Sequence, residues 1–117
     1  MVEKPSVPHL QDMVDAIEHI YSKIEGISLE TFQGDLDRRR IVERSGEIIS
    51  EASRRLPDGL KERHPDIPWR KVAGIGNILR HDYENVIPDG LWKLAHDDLP
   101  KLEKVCRAEL MRESRKT

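Results

Sequence analysis

The sequence has little of what several protein classes require. Of its 117 residues, one is cysteine, one is phenylalanine, two are tyrosine and two are tryptophan. A single cysteine, Cys106, excludes an intramolecular disulfide and agrees with a reducing compartment. So few aromatic residues argue against a fold dominated by β-sheet. No apolar run approaches the roughly 20 residues needed to span a bilayer, and the N-terminus lacks the apolar core of a signal peptide. We therefore expect a cytoplasmic protein with no membrane segment.

The chain also lacks an excess of either charge. It has 20 basic and 22 acidic residues, giving a net charge of -2. Without an overall basic character, contact with nucleic acid has to come from a local patch. Arg38, Arg39 and Arg40 form one such cluster, and two interpretations are open. The cluster is either the solvated start of a helix or a phosphate-binding patch.

The periodicity of apolar residues predicts an all-α protein. We expect one domain over residues 1–117, with residues 1–7 and 112–117 flexible. The pattern predicts helices over residues 8–25, 28–33, 35–56, 60–64 and 66–83, and a last helix from about residue 89. Pro100 should kink or divide that last helix. Short connections favour an antiparallel, up-and-down four-helix bundle with short extra helical turns.

Residues 66–83, which read DIPWRKVAGIGNILRHDY, carry most of the distinctive chemistry. Asp66 is the predicted cap of this helix, and Pro68 falls in its first turn. Gly74 and Gly76 each cost about 1 kcal/mol relative to alanine inside a helix. This cost predicts the close approach of another helix, from the same chain or a second subunit. Trp69, like Trp92, is predicted to pack the bundle.

The end of this segment holds the candidate catalytic residues. His81 suits proton transfer near neutral pH, and Arg80 is its neighbour. Asn77 lies four residues before His81, on the same helix face, where it could orient the imidazole or contact a ligand. The alternative is structural: Arg80 and His81 favourably end a helix, and Asn77 is an interface amide.

Metal and thiol chemistry have weaker support in the sequence. The five histidines are dispersed, and one cysteine provides no set of thiolate ligands, so we expect no metal site and no cofactor. Cys106 lies within an apolar stripe and is predicted to be a core residue.

Three stretches together resemble one known family. PWRKVAGIGNILRHDY, ERSGEIISEA and VIPDGLWKLAHDDLPKLE resemble the HepT-like branch of the HEPN superfamily, and the resemblance extends from about residue 9 to residue 110. It implies a small helical bundle that forms homodimers. It also implies the toxin of a type VII toxin–antitoxin pair, whose antitoxin is a minimal nucleotidyltransferase of the MntA type. The toxin is expected to be a metal-independent ribonuclease with RNA as its substrate.

The family motif is an arginine, four residues, a histidine, one residue and a tyrosine, with a polar residue after the arginine. Carried over, the histidine is His81, the tyrosine is Tyr83 and the polar residue is Asn77. The resemblance implies that the antitoxin silences the toxin by attaching AMP to Tyr83.

The chain departs from this motif at the arginine, where it has Gly76. Charge on a phosphorane-like transition state needs a cation, and a guanidinium is always charged. Arg80 could supply it to His81 of its own or of a second subunit. Arg70 lies about 16 Å from His81 along a continuous helix, too far within one chain but within reach across a dimer. The alternative function is a non-catalytic dimer that binds a nucleotide or its nucleotidyltransferase partner.

Overall fold

The computed structural model describes residues 5–76 and 86–116, the stretch 86–89 by its backbone alone. These ranges contain α-helices and no strand. The helices are α1 (Val7–Ile24), α2 (Leu29–Gly34), α3 (Leu36–Arg54), α4 (Asp58–Glu62), α5 (Trp69–Ala73), α6 (Val86–Asp97) and α7 (Leu99–Ser114). The predicted all-α bundle with short extra helical turns is therefore confirmed.

The long helices share one apolar core. Helix α1 packs along α3 on one side and α7 on the other, while α6 packs against α7 and α2 bridges α3 and α6. The α1 stripe of Leu10, Met13, Ile17 and Ile20 is almost fully buried, as its three- and four-residue spacing predicts. Phe32 of α2 is also buried and lies 5.7 Å from the Trp92 ring, measured between centroids.

Local capping sets the helix boundaries in the first half of the chain. The Ser28 hydroxyl accepts a hydrogen bond from Thr31 N at 3.1 Å, and the Asp35 carboxylate accepts one from Arg38 N at 3.1 Å. Both are standard N-terminal caps. Ser6 occupies the same position before α1 and is a residue type that commonly caps a helix, but its side chain makes no capping hydrogen bond. Gly26 follows α1 with φ of 78°, a left-handed conformation that suits glycine.

The last predicted helix is two helices, and it begins earlier than expected. The residues before 89 were predicted to be a loop, yet α6 already begins at Val86. Pro88 is its third residue, where a proline has no intrahelical N–H bond to lose. Pro100 divides the helical run as predicted: α7 begins at Leu99, so Pro100 stands in its first turn.

Residues 66–76 do not form the start of one continuous helix. Helix α5 begins at Trp69 after Pro68, and Asp66 does not cap it. It ends at Ala73, where the Gly74 N–H is shared between the carbonyls of Arg70 and Lys71, at 3.0 and 3.2 Å, as is common at a helix terminus. Helical conformation resumes at Ile75. The prediction of an uninterrupted helix over this part was therefore wrong.

A search of the described helices for a span long and apolar enough to cross a membrane finds none.

Candidate functional site

Most of the predicted site residues fall on the part of the chain that the structure does not describe. Asn77, Arg80, His81 and Tyr83 all lie within residues 77–85. Arg70 is described and is exposed on α5. Its predicted distance from His81 assumed a continuous helix, and the break at Gly74 removes that assumption. The structure does show how the start of this segment is attached to the bundle.

A hydroxyl on α3 binds the backbone just before this segment. Ser50 is fully buried, and its Oγ donates a hydrogen bond to the Ala73 carbonyl at 2.6 Å. The same oxygen accepts one from Gly76 N at 3.2 Å and one from Arg54 Nη2 at 3.2 Å. A hydroxyl has one donor and two acceptor positions, so all three are used. We call these four residues (Ser50, Arg54, Ala73 and Gly76) the Ser50 junction.

The junction spans the break in the helix. Ala73 is the last residue of α5, and Gly76 stands beyond the turn at Gly74. Ser50 thus binds a backbone carbonyl on one side of the break and a backbone N–H on the other. The chain therefore enters residues 77–83 from a point fixed against α3.

The two glycines have different surroundings. A Cβ atom on Gly76 would stand 3.3 Å from Ser50 Oγ and 3.5 Å from Arg54 Nη2. The predicted close approach of another helix is thus confirmed for Gly76, and that helix is α3 of the same chain. For Gly74, the neighbours among the described residues are the carbonyls of Arg70 and Lys71, at 3.2 and 3.5 Å. Among the described residues no other helix approaches Gly74, and its position in the turn accounts for the glycine.

A pocket of about 420 Å³ opens beside the junction. The described residues that line it are Glu47, Glu51, Arg54, Arg55 and Gly76. Both glutamates are already paired with arginines, since Arg44 lies 3.2 Å from Glu47 and Arg55 lies 3.2 Å from Glu51. Within the described ranges, no carboxylate pairs with Arg54.

A second polar cluster lies elsewhere, where α4 meets α7. Glu109 is buried, and its carboxylate receives Arg63 Nη2 at 2.6 Å and His64 Nε2 at 2.6 Å. Burial raises the pKa of this carboxyl, but the hydrogen bonds from Arg63 and His64 outweigh it, so the net pKa is below its usual value of 4.5. Trp69 packs nearby and donates its indole N–H to the carbonyls of Lys61 and His64. This cluster holds the connection between α4 and α5 against the bundle.

The contacts of the other residues singled out in the sequence serve the fold. Arg38 binds the Asp35 carboxylate and the Lys23 carbonyl, at 2.9 and 2.8 Å. Arg39 donates to the Gln33 carbonyl at 3.3 Å. These contacts favour the interpretation of Arg38 to Arg40 as a helix start. Cys106 is fully buried, and burial raises the pKa of its thiol to about 12, which confirms it as a core residue.

The search for three or more histidine, cysteine, aspartate or glutamate side chains arranged to hold a metal ion finds none in the described ranges.

Sequence reasoning missed Ser50, Arg54 and Glu109. Ser50 and Arg54 are four residues apart on α3, so the helix brings them to one face. A serine on the apolar face of a predicted helix is a signal that could have been used, because a buried hydroxyl needs a partner. Glu109 gives the same signal on the apolar face of α7.

The fold and the junction define a class: a small all-α bundle whose long helix α3 fixes the entry to a short polar segment. Comparison with protein families assigns the chain to one family within this class. Residues 13–109 match the family model described as "Ribonuclease HepT-like". The chain therefore belongs to the HepT-like family of the HEPN superfamily.

Individual relatives are similar in sequence to this chain over most of its length. A protein of Thermococcus cleftensis named "Probable ribonuclease HepT" is 39% identical over 95 residues, covering 81% of this chain and 86% of the relative. A protein of Caldanaerobacter subterraneus subsp. tengcongensis named "Putative RNase TTE0752" is 34% identical over 106 residues, covering 91% and 95%. One of Methanocaldococcus jannaschii, "Putative RNase MJ1380", is 33% identical over 95 residues, covering 81% and 87%. No solved structure matches significantly.

Proposed function

We propose that this protein is an endoribonuclease and the toxin of a type VII toxin–antitoxin pair, active in the cytoplasm. The observation that carries the proposal is family membership over residues 13–109, among relatives named as ribonucleases. The Ser50 junction adds support because it fixes the start of the segment that holds Arg80 and His81.

The proposed reaction needs no metal and no cofactor. The 2'-hydroxyl of one nucleotide attacks the adjacent phosphorus, so a bond from O2' to phosphorus forms and the bond to O5' breaks. His81 moves the proton between these oxygens, and the guanidinium of Arg80 stabilises the negative charge on the phosphorane. Asn77 orients the imidazole or contacts the RNA. The products are a 2',3'-cyclic phosphate and a 5'-hydroxyl.

The proposed active form is a homodimer with the site at the cleft between subunits. In that arrangement Arg80 works together with His81 of its own or the partner subunit. Arg70 of one subunit binds RNA held by the other. The exposure of Arg70 on α5 leaves its side chain accessible for that contact.

The experiment is cleavage of labelled RNA by the purified protein in excess EDTA. We expect cleavage with cyclic-phosphate ends, and loss of it in His81→Ala. His19→Ala is the matched control, since His19 is an exposed histidine on α1. A His81→Ala protein with undiminished cleavage would remove the catalytic assignment. Light scattering on the same samples tests the dimer, and a monomer at working concentration contradicts it.

Silencing by AMPylation of Tyr83 is tested separately. The chain is co-expressed with a neighbouring minimal nucleotidyltransferase, and its intact mass is measured. We expect the added mass of AMP on the wild type and on Tyr21→Phe, and none on Tyr83→Phe. Added AMP that persists in Tyr83→Phe contradicts the assignment.

Gly76 supports a second candidate function, because it stands where the motif arginine is expected. In this alternative the protein is a non-catalytic dimer that binds a nucleotide or its nucleotidyltransferase partner. A stable complex with that partner, combined with no RNA cleavage by the free protein, would favour it over the ribonuclease.

A further inference from the structure

Arg54 is held in place and yet keeps hydrogen-bonding capacity. Its Nε donates to the Ser50 carbonyl at 3.4 Å and its Nη2 donates to Ser50 Oγ at 3.2 Å. A guanidinium has five N–H donors, so these contacts with described residues use two of them. The side chain is exposed. It is therefore oriented by the protein and open to a ligand from solvent.

The charge of Arg54 is distinct from that of its neighbours. Glu47 and Glu51 are each matched by an arginine, namely Arg44 and Arg55. The partners of Arg54 within the described part of the chain are a neutral hydroxyl and a neutral carbonyl. Among the described residues that line the pocket, Arg54 is thus the one charged side chain without an ion-pair partner, and a guanidinium in that state favours an anion.

We infer that Arg54 is a phosphate-binding residue, presented by α3 in the pocket beside Gly76. A guanidinium suits this task because its planar fork matches two phosphate oxygens at once. The inference rests on the proposed function for the identity of the anion, which is the RNA backbone.

Gly76 gives the inference a second line of support. Arg54 Nη2 lies 3.5 Å from where the Cβ atom of residue 76 would stand. A guanidinium from α3 therefore occupies the space next to the position at which the resemblance places an arginine. Glycine there leaves that space open to Arg54.

The test compares Arg54→Ala with Arg55→Ala, the next arginine in the same pocket. Two readouts are used: cleavage of labelled RNA, and binding of a 2'-O-methyl RNA that cannot be cleaved, measured over a range of salt concentrations. We expect Arg54→Ala to weaken binding at least about tenfold and to reduce the salt slope by about 0.7, the value for one contact to single-stranded nucleic acid. Cleavage falls with binding, and Arg55→Ala stays within about twofold of the wild type because its guanidinium is paired to Glu51.

The salt slope separates phosphate contact from a structural role. If Arg54 only supports Ser50, Arg54→Ala lowers the melting temperature but leaves the slope unchanged, and the inference is overturned. Should Arg54→Ala fail to fold, Arg54→Lys replaces it. That variant keeps the charge and loses the fork, so weaker binding with an unchanged slope supports the inference, and wild-type affinity overturns it.

The two proposals fail in different ways. A wild type that cleaves RNA and an Arg54→Ala variant that cleaves and binds equally well remove the inference and leave the ribonuclease. A wild type that binds the probe with an Arg54-dependent slope but cleaves no RNA removes the ribonuclease and leaves the phosphate site. A wild type that does neither contradicts both.

Discussion

Two arginines of this bundle have opposite surroundings. Arg63 reaches a buried carboxylate, Glu109, which is only 4% exposed, and its charge is neutralised there together with the contact from His64. Arg54 is bound by the hydroxyl and carbonyl of Ser50, and its charge meets no carboxylate among the described residues. The first arginine contributes to the stability of the fold. The second is held by neutral groups on an exposed side chain, which is the arrangement a ligand site needs.

The largest expected effect on stability comes from breaking the pair of Arg63 and Glu109. Arg63→Ala leaves the buried Glu109 carboxylate without its guanidinium, so we expect the free energy of unfolding to fall by about 3 kcal/mol. Chemical denaturation measures it. Arg55→Ala is the matched control, because its pair with Glu51 is exposed and worth about 0–1 kcal/mol. Similar losses in the two variants would contradict the distinction between these pairs.

Ser50→Ala is expected to come next. It removes the hydroxyl that binds the buried Gly76 N–H and the partly buried Ala73 carbonyl, which costs about 1–3 kcal/mol. Ser53→Ala is the control, since among the described residues the equally buried Ser53 hydroxyl has one partner, the Ser50 carbonyl of its own helix, to which it donates. Denaturation curves that rank Ser53→Ala as the more damaging change would contradict the junction.

A smaller effect depends on pH. The folded pKa of Glu109 is lowered, so its contribution to stability is present above the ordinary value of 4.5 and is lost as pH falls through the folded pKa. The difference in melting temperature between the wild type and Glu109→Gln should therefore shrink as pH falls from about 7 to about 3. A difference that stays constant over this range would show that the charge of Glu109 is not what stabilises the cluster.

The smallest expected effect on stability is that of Arg54→Ala. Water can replace the hydrogen bonds of an exposed guanidinium, and Ser50 keeps its bonds to Ala73 and Gly76. We expect a loss of about 0.5–1 kcal/mol in chemical denaturation, well below that of Arg63→Ala. If both variants lose the same amount, the two arginines have the same role and the contrast between them disappears.

The sequence predicted the helices well where local signals set them. Ser28, Asp35 and Gly26 mark boundaries through caps and a left-handed turn, and these depend on residues close in the chain. Prediction was poorer at residues 66–76, because the periodicity continues through a break at Gly74 that α3 stabilises from outside. The contacts of Ser50 with Ala73 and of Arg63 with Glu109 join residues 23 and 46 positions apart, which no local pattern contains.

The candidate site was predictable only through residue types and resemblance. His81, Arg80, Asn77 and Tyr83 follow from chemistry and from the motif, and they remain predictions because the structure does not describe residues 77–85. Arg54 could not be selected from the pair Arg54–Arg55 by sequence. Which of the two arginines lies beside Gly76 depends on how α3 is rotated about its own axis where it packs against α5. That rotation is set by the whole core.

The span of the Ser50 junction also sets an order of events in folding. Its bond to Gly76 joins residues 26 positions apart, so it forms only when α3 and the chain after α5 have already docked. A growing polypeptide therefore cannot complete the junction until both α3 and Gly76 have left the ribosome.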